Sequence, residues 1–332
     1  MPLFFQVLGR PGRDNALFVK LDTGQSQTRF LFDCGDGCPH QLPAAELREV
    51  DHLCFSHLHM DHVAGFDLFF RTNFERTTRE NRIWVPPGSA AIVGHRLQGF
   101  LWNLVGDHPG EWLVSECAPD AVRTVAYRAR EGFAIAHLLP DRPRHDRVVV
   151  DGGAFTLEAM LLDHGTPSVG YIVREAPRVN VDTDRLAALG LSPGPWLKRL
   201  RGHRVGPEET VAVGGARRPL ADLQRDLLVA SPGDSIAYLT DFRVEASASE
   251  LAEALHGVDT VVCESQYRSA DVHLARAAMH STAVEVADLA RRAGVGRLIL
   301  FHVSDRYDAE ARRDMLGEAQ AVFANTVMAE GW

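Results

Sequence analysis

The chain has 332 residues, is 45% hydrophobic and carries a formal charge of -9. That is apolar material for one large domain or two halves, and a balance too acidic for wholesale attraction to nucleic acid, local patches apart. No apolar run approaches the roughly 20 residues that cross a bilayer, the opening Met1-Pro2-Leu3-Phe4-Phe5 lacks the basic region of a signal peptide, and Cys34, Cys38, Cys54, Cys117 and Cys263 repeat no pair spacing, so buried free thiols in a reducing cytoplasm are expected.

Residues 4–8, 16–21 and 28–33 read as short strands joined by Gly, Asp and Pro turns. The third runs into Asp33-Cys34-Gly35-Asp36-Gly37. This turn is either an ordinary hairpin end or a close approach to a neighbouring loop, with Asp33 orienting a liganding imidazole. A buried strand over 52–55 then delivers His57-Leu58-His59-Met60-Asp61-His62, four metal-ligand side chains within six residues. His57 and His59, two apart on extended backbone, project to the same side. Asp61 and His62 sit where the chain turns into a helix carrying Phe66, Leu68, Phe69 and Phe70. Imidazole with carboxylate suits zinc or a similar divalent ion. One ion cannot easily use all four groups of so short a loop, so two neighbouring ions are expected.

The stretch 66–150 offers one strand (83–85), a helix near 89–101, and less regular sequence whose His95, His108, His137 and His145 lack ligand spacing. Strands over 154–162 and 169–173 flank Asp163-His164-Gly165. Residues 189–204 are marked by proline and glycine, then turn aromatic and basic with Trp196, Lys198, Arg199, Arg201 and Arg204. They read either as a solvated helix face or as a phosphate-gripping protrusion with Trp196 as its stacking anchor. The last third alternates strand and helix: 235–239 delivers Asp241, 260–263 delivers Glu264, and 297–301 delivers His302. Ser247 with Glu250, and Thr282 with Glu285, read as capping boxes of helices that stop at Gly257 and Gly294; a final helix spans 309–323. Polar residues recur at strand ends, the edge where sites of layered α/β folds collect.

The order of His57, His59, Asp61, His62, His164, Asp241 and His302 resembles the metallo-β-lactamase fold. More narrowly, residues 1–308 are similar to ribonuclease Z, the family of tRNA 3′-processing endonucleases. Phe32-Asp33-Cys34-Gly35-Asp36-Gly37 resembles that family's FDCGEG turn, and residues 189–200 with Gly194-Pro195 its GP-containing arm. Ala278-Met279-His280-Ser281-Thr282-Ala283 resembles its HST loop, and residues 301–307 its closing HxSxRY segment. Met279 stands where that loop usually has glycine, and Phe242 where Thr usually follows the aspartate.

The resemblance implies an α/β fold, a four-layer αβ/βα sandwich, forming a single hydrolase domain over 1–332 with an inserted arm over 176–232. It implies one zinc site at His57, His59 and His164, a second at Asp61, His62 and His302, and Asp241 bridging them; manganese is the other candidate ion. Asp61 would accept the proton of the attacking water, His280 would protonate the departing 3′ oxygen or hydrogen-bond a phosphate oxygen, and Glu264 would orient His280. Lys198, Arg199, Arg201, Arg204 and Trp196 would grip RNA across the partner subunit of a homodimer. The expected activity is removal of 3′ trailers from precursor tRNA by a hydroxide that two metal ions activate. Its rivals are a hydrolase of the same fold acting on a small phosphodiester, sulfate ester or lactone, and an RNA-binding relative that no longer cleaves.

Overall fold

The computed structural model describes residues 3–24, 26–200 and 209–332. Strands β1 (Leu3–Gly9), β2 (Asn15–Asp22) and β3 (Gln27–Phe32) form an antiparallel meander. Helix α1 (Ala44–Arg48) leads into β4 (His52–Cys54), and α2 (Met60–Val63) and α3 (Phe66–Asn73) lead into β5 (Asn81–Val85). Helix α4 (Ala90–Leu97) precedes β6 (Glu111–Cys117), β7 (Ala121–Arg128) and the short β8 (His137–Leu138) and β9 (Arg142–Pro143). Among the described residues these nine strands form one mixed sheet, parallel from β3 to β6. The strands β6 to β9 were not expected from the sequence. Glu111, Ser115, Glu116, Arg123 and Thr124 interrupt their apolar residues, and much of that length is half-buried rather than core. The helix expected to reach 101 stops at Leu97, after which Trp102 Nε1 donates back to the Leu97 carbonyl (3.1 Å).

A second mixed sheet starts with β10 (Val148–Asp151), β11 (Phe155–Asp163) and β12 (Pro167–Glu175). The chain then forms a separate compact unit, Glu175–Gly233. It holds β13 (Arg178–Val181), α5 (Thr183–Ala188), α6 (Leu197–Leu200), β14 (Thr210–Val213), β15 (Ala216–Pro219), α7 (Leu220–Leu227) and β16 (Leu228–Ser231). Leu186, Leu200, Leu220, Leu223 and Leu227 make its own small core. The main unit resumes with β17 (Ser235–Leu239), which pairs antiparallel with β12 so that Arg174 stands opposite Ser235. Helix α8 (Val244–Ala254), β18 (Thr260–Glu264), α9 (Val272–Ala277), α10 (Ala283–Ala293), β19 (Arg297–Phe301), α11 (Ala309–Val322) and β20 (Thr326–Met328) follow, with β17 to β20 mutually parallel.

Three apolar clusters separate four layers in this main unit. Leu17, Val19, Phe30 and Phe32 of the first sheet meet Tyr171, Tyr238 and Phe301 of the second. Phe66, Phe69 and Phe70 of α3, spaced to lie on one helix face, cover the outside of the first sheet. Leu251, Val286, Leu289 and Met315 of α8, α10 and α11 cover the outside of the second. Strand β17 is buried at all five positions, as expected of an internal strand with the first sheet on one face and helices on the other.

Local signals account for most boundaries. Thr282 and Glu285 form the capping box of α10, and Gly294 closes it at φ 63°. The box expected at Ser247 does not form: α8 already begins at Val244, and Ser247 interrupts it with φ -142° and ψ 22°. The earlier start has a cause, since Arg243 N donates to the Asp163 carbonyl (3.0 Å) and Val244 N to Ser281 Oγ (3.1 Å). All five cysteines are buried and free. No helix among the described residues is long and apolar enough to cross a membrane.

Candidate metal centre

The centre lies where strand ends of both sheets meet. His57 to His62 follow β4, Asp33 follows β3, His164 follows β11, and Asp241, Glu264 and His302 end β17, β18 and β19. The ligand loop is tied to the second sheet: Tyr171 Oη donates to the Phe55 carbonyl (2.8 Å) and Val169 N to the Ser56 carbonyl (2.8 Å). It is tied to the first sheet by the turn after β3. Cys34 N donates to the His62 carbonyl (2.8 Å) and Gly65 N to the Cys34 carbonyl (2.8 Å). A Cβ on Gly65 would lie 2.4 Å from the Gly35 carbonyl oxygen, so the two segments approach closely only because the side chain is absent. The turn therefore makes the close approach that the sequence left open. Asp33, Asp241 and His302 hold left-handed backbone at φ 56°, 52° and 50°, a conformation that non-glycine residues rarely keep outside functional sites.

Asp33 is fully buried and takes four hydrogen bonds: from Ser56 N (2.6 Å), Ser56 Oγ (2.7 Å), His62 Nδ1 (2.7 Å) and Tyr238 Oη (2.8 Å). Because a carboxylate only accepts, one His62 proton must sit on Nδ1, which leaves Nε2 as the nitrogen that faces the centre. Ser56 Oγ gives its proton to Asp33, so it accepts from His57 Nδ1 (3.0 Å) and leaves Nε2 of His57 free as well. His164 Nδ1 donates to the Met279 carbonyl (2.9 Å) with the same result.

These free nitrogens converge. One ligand atom each from His57, His59, His164 and Asp241 lies within 4.8 Å of the others, and so does one each from Asp61, His62 and His302. Asp241 stands between the groups. Its Oδ2 is 3.7 Å from His57 Nε2, 3.5 Å from His164 Nε2 and 3.5 Å from His62 Nε2, and its Oδ1 is 3.3 Å from His302 Nδ1. His57 Nε2 and His59 Nδ1 are 2.9 Å apart. Buried His62 Nε2 and His302 Nδ1 have no hydrogen-bond partner. Unpartnered imidazole nitrogens aimed at one another round a carboxylate are costly alone and satisfied by cations, so the residues fit a pair of metal ions.

Charges agree with that fit. Burial, then the neighbouring His62, pushes His57 down to about 2, which keeps its imidazole neutral, the form that can bind a cation. Burial opposes ionisation of Asp61, yet His302 and His62 beside it hold its carboxyl well below the usual carboxylate range. Burial likewise opposes the charged form of His62, but Asp241 and Asp33 raise it, so a cation arriving there displaces a proton.

Next to this centre His280 Nδ1 lies 2.7 Å from Glu264 Oε2, while Glu264 Oε1 accepts from Phe242 N (2.7 Å). The His280 ring is 4.9 Å from that of His164 and 5.7 Å from that of His302. Burial disfavours the imidazolium, but Glu264 overrides it and raises His280 to about 9. Sequence reasoning missed several supporting groups. Tyr238, Ser56 and the Arg243–Asp163 ion pair carry no motif of their own, and only the fold brings them here; Ser281 was visible in the HST-like loop, but not that its Oγ donates to the Phe242 carbonyl (2.7 Å) and accepts from Val244 N (3.1 Å).

In the smaller unit, Lys198 and Arg199 are exposed on α6, with Arg199 3.8 Å from Glu209, and Trp196 Nε1 donates to the Ser192 carbonyl (3.2 Å). Arg201 and Arg204 lie outside the described residues.

Two mixed sheets with histidines and aspartates gathered at their shared edge define the metallo-β-lactamase type of fold. The metallo-beta-lactamase fold protein YhfI from Bacillus subtilis superposes with a TM-score of 0.56 at 13% identity, covering 99% of this chain and 96% of that one. Human tRNase Z, short form, superposes at 0.53 and 17% identity over 99% and 96%. Residues 13–108 match the family model described as Anti-Pycsar protein Apyc1. Ribonuclease Z of Deinococcus radiodurans is 47% identical over 329 residues, 98% of this chain and 97% of that protein. The chain belongs to the ribonuclease Z family.

Proposed function

We propose that this protein is a metal-dependent endoribonuclease that removes 3′ trailers from precursor tRNA. The observation that carries the reading is the Glu264–His280 pair standing beside the Asp241-centred cluster, in a chain of the ribonuclease Z family. His57, His59 and His164 would hold one ion and Asp61, His62 and His302 the other, with Asp241 between them; a set this rich in imidazole favours zinc, with manganese second. Ions bound there supply Lewis-acid stabilisation of phosphate charge and make water more acidic.

The chain's own residues do the rest. Asp61, half-exposed and held as a carboxylate, accepts a proton from the attacking water. The new bond joins that oxygen to phosphorus, and the bond from phosphorus to the 3′ oxygen of the last retained nucleotide breaks. His280, protonated near neutral pH, gives its Nε2 proton to that oxygen, while Glu264 at Nδ1 fixes the ring and stabilises its charge. The products are a tRNA with a 3′ hydroxyl and a trailer with a 5′ phosphate.

In the same reading residues 176–232 form an arm that grips the tRNA through Trp196, Lys198, Arg199, Arg201 and Arg204, each arm serving the partner site of a cytoplasmic homodimer. The test is cleavage of a 3′-extended precursor tRNA by zinc-loaded protein, beside a bis-aryl phosphodiester and an Asp241→Ala control. A cut directly after the discriminator nucleotide, lost in the control, is the expected result. Turnover of the diester with the tRNA left intact would move the function to a small phosphodiester, sulfate ester or lactone.

A further inference from the structure

Met279 is one of five non-glycine residues in the described chain with positive φ, at 63°. It follows α9, whose end is closed by two backbone bonds: Met279 N to the Arg276 carbonyl (3.3 Å) and His280 N to the Ala275 carbonyl (2.9 Å). This is the Schellman arrangement, with Met279 at the left-handed position that glycine fills most often. The turn does two things at once. It aims the Met279 carbonyl at His164 Nδ1, 2.9 Å away, and it launches His280 toward Glu264. The side chain of Met279 contributes nothing to either contact; the backbone does both.

We propose that Met279 is a positioning residue, whose left-handed backbone couples the ligand His164 to the acid His280. The carbonyl selects the His164 tautomer that presents Nε2 to the centre. Because that carbonyl and the His280 amide belong to one peptide unit, the place of the acid is linked to the orientation of the ligand. A cation held by His57, His59 and His164 therefore also steadies His280. The ion pair between Arg243 and Asp163 supports the other side of the same contact, since Asp163 immediately precedes His164.

The inference rests on the metal-site reading above, and its test separates backbone from side chain. Met279→Gly and Met279→Asn both accept left-handed φ, whereas β-branched Met279→Val does not. Zinc binding is read without substrate, by competition with a chromophoric chelator. In Met279→Val the affinity for one of two zinc equivalents should fall about tenfold or more, in the range seen when a ligand loses its outer partner. The kcat on precursor tRNA should fall in parallel with KM unchanged, and Met279→Gly should hold both quantities within about twofold of the parent. If Met279→Val does not fold, Met279→Thr, also β-branched but more polar, serves, with the same direction. Wild-type zinc affinity in the Val or Thr variant overturns the proposal, as does equal loss in the Gly variant, which would assign the role to the side chain. Failure of the wild type to cleave tRNA would sink the substrate reading but leave the zinc result to decide this one.

Discussion

Asp33 Oδ2 lies 2.7 Å from His62 Nδ1 and 2.8 Å from the hydroxyl of Tyr238, 205 residues further along the chain. One carboxylate thus fixes the proton on a candidate ligand of the first half and anchors it to an internal strand of the second. Asp33 touches no candidate cation position itself. It decides which nitrogen of His62 faces one.

Replacing it should therefore separate shape from charge. Asp33→Asn tolerates the backbone at φ 56° but offers an amide where donors converge, and zinc affinity should fall roughly ten- to a hundredfold. Asp33→Ala leaves several buried donors unpaired, each costing about 1–3 kcal/mol, and should lower the urea midpoint markedly. Chelator competition and urea unfolding read the two effects; an Asn variant that binds zinc like the parent would refute the tautomer argument.

For His280→Ala, the expected outcome is a loss of roughly a hundredfold or more in kcat with both zinc equivalents retained. Glu264→Gln should fall between parent and His280→Ala, because the amide still accepts from Phe242 N but no longer stabilises the imidazolium. Single-turnover rates with metal content measured on the same samples check both. Loss of zinc from His280→Ala would make that histidine a ligand rather than an acid.

Neutralising Lys198 and Arg199 together tests the small unit. Each phosphate contact removed should flatten the dependence of log affinity on log salt by about 0.7–0.9, so binding of precursor tRNA weakens most at low salt. Cleavage of a short single-stranded RNA should not change. Unaltered tRNA affinity at every salt concentration would exclude these residues from the interface.

His52 gives a prediction about acid. Its Nδ1 accepts from Trp84 Nε1 (3.1 Å) amid Phe30 and Phe155, and burial followed by the Arg82 charge pushes it down to about 3. A proton on Nδ1 would face the Trp84 donor, so the native state keeps the ring neutral while the unfolded chain protonates near its ordinary value of 6.5. Its contribution is whole above 6.5 and is lost as pH falls from 6.5 toward 3, by at most about 1.4 kcal/mol per pH unit. Urea midpoints of metal-stripped protein should fall more gently across that window in His52→Gln. An identical slope in both proteins would place the acid sensitivity elsewhere.

The legible parts of this structure are those written in local chemistry. Strands β17 and β19 and helix α10 fall where hydrophobic runs, the Thr282 box and Gly294 put them, and the ligand block after β4 announces itself by composition alone. The two strands β6 and β7 were hidden because their alternation is diluted by polar residues that neighbouring strands, rather than sequence neighbours, make tolerable. The box at Ser247 failed for a related reason: tertiary hydrogen bonds at Arg243 and Val244 start the helix before the local signal can act. The same holds at the centre. Its inner residues were visible as motifs, but Tyr238, Ser281 and the Met279 carbonyl act through partners 37 to 205 residues away, and such partnerships leave no mark on a window of sequence.

The pairing of Arg174 with Ser235 has an evolutionary reach. The chain leaves β12 and returns to β17 at facing positions of one ladder, so topologically everything from Glu175 to Gly233 stands in for the turn of a hairpin. A lineage can lengthen, shorten or exchange that segment without disturbing the register of any strand in the main unit. Accessory segments of quite different size can be traded at this junction while the hydrolytic chassis stays the same.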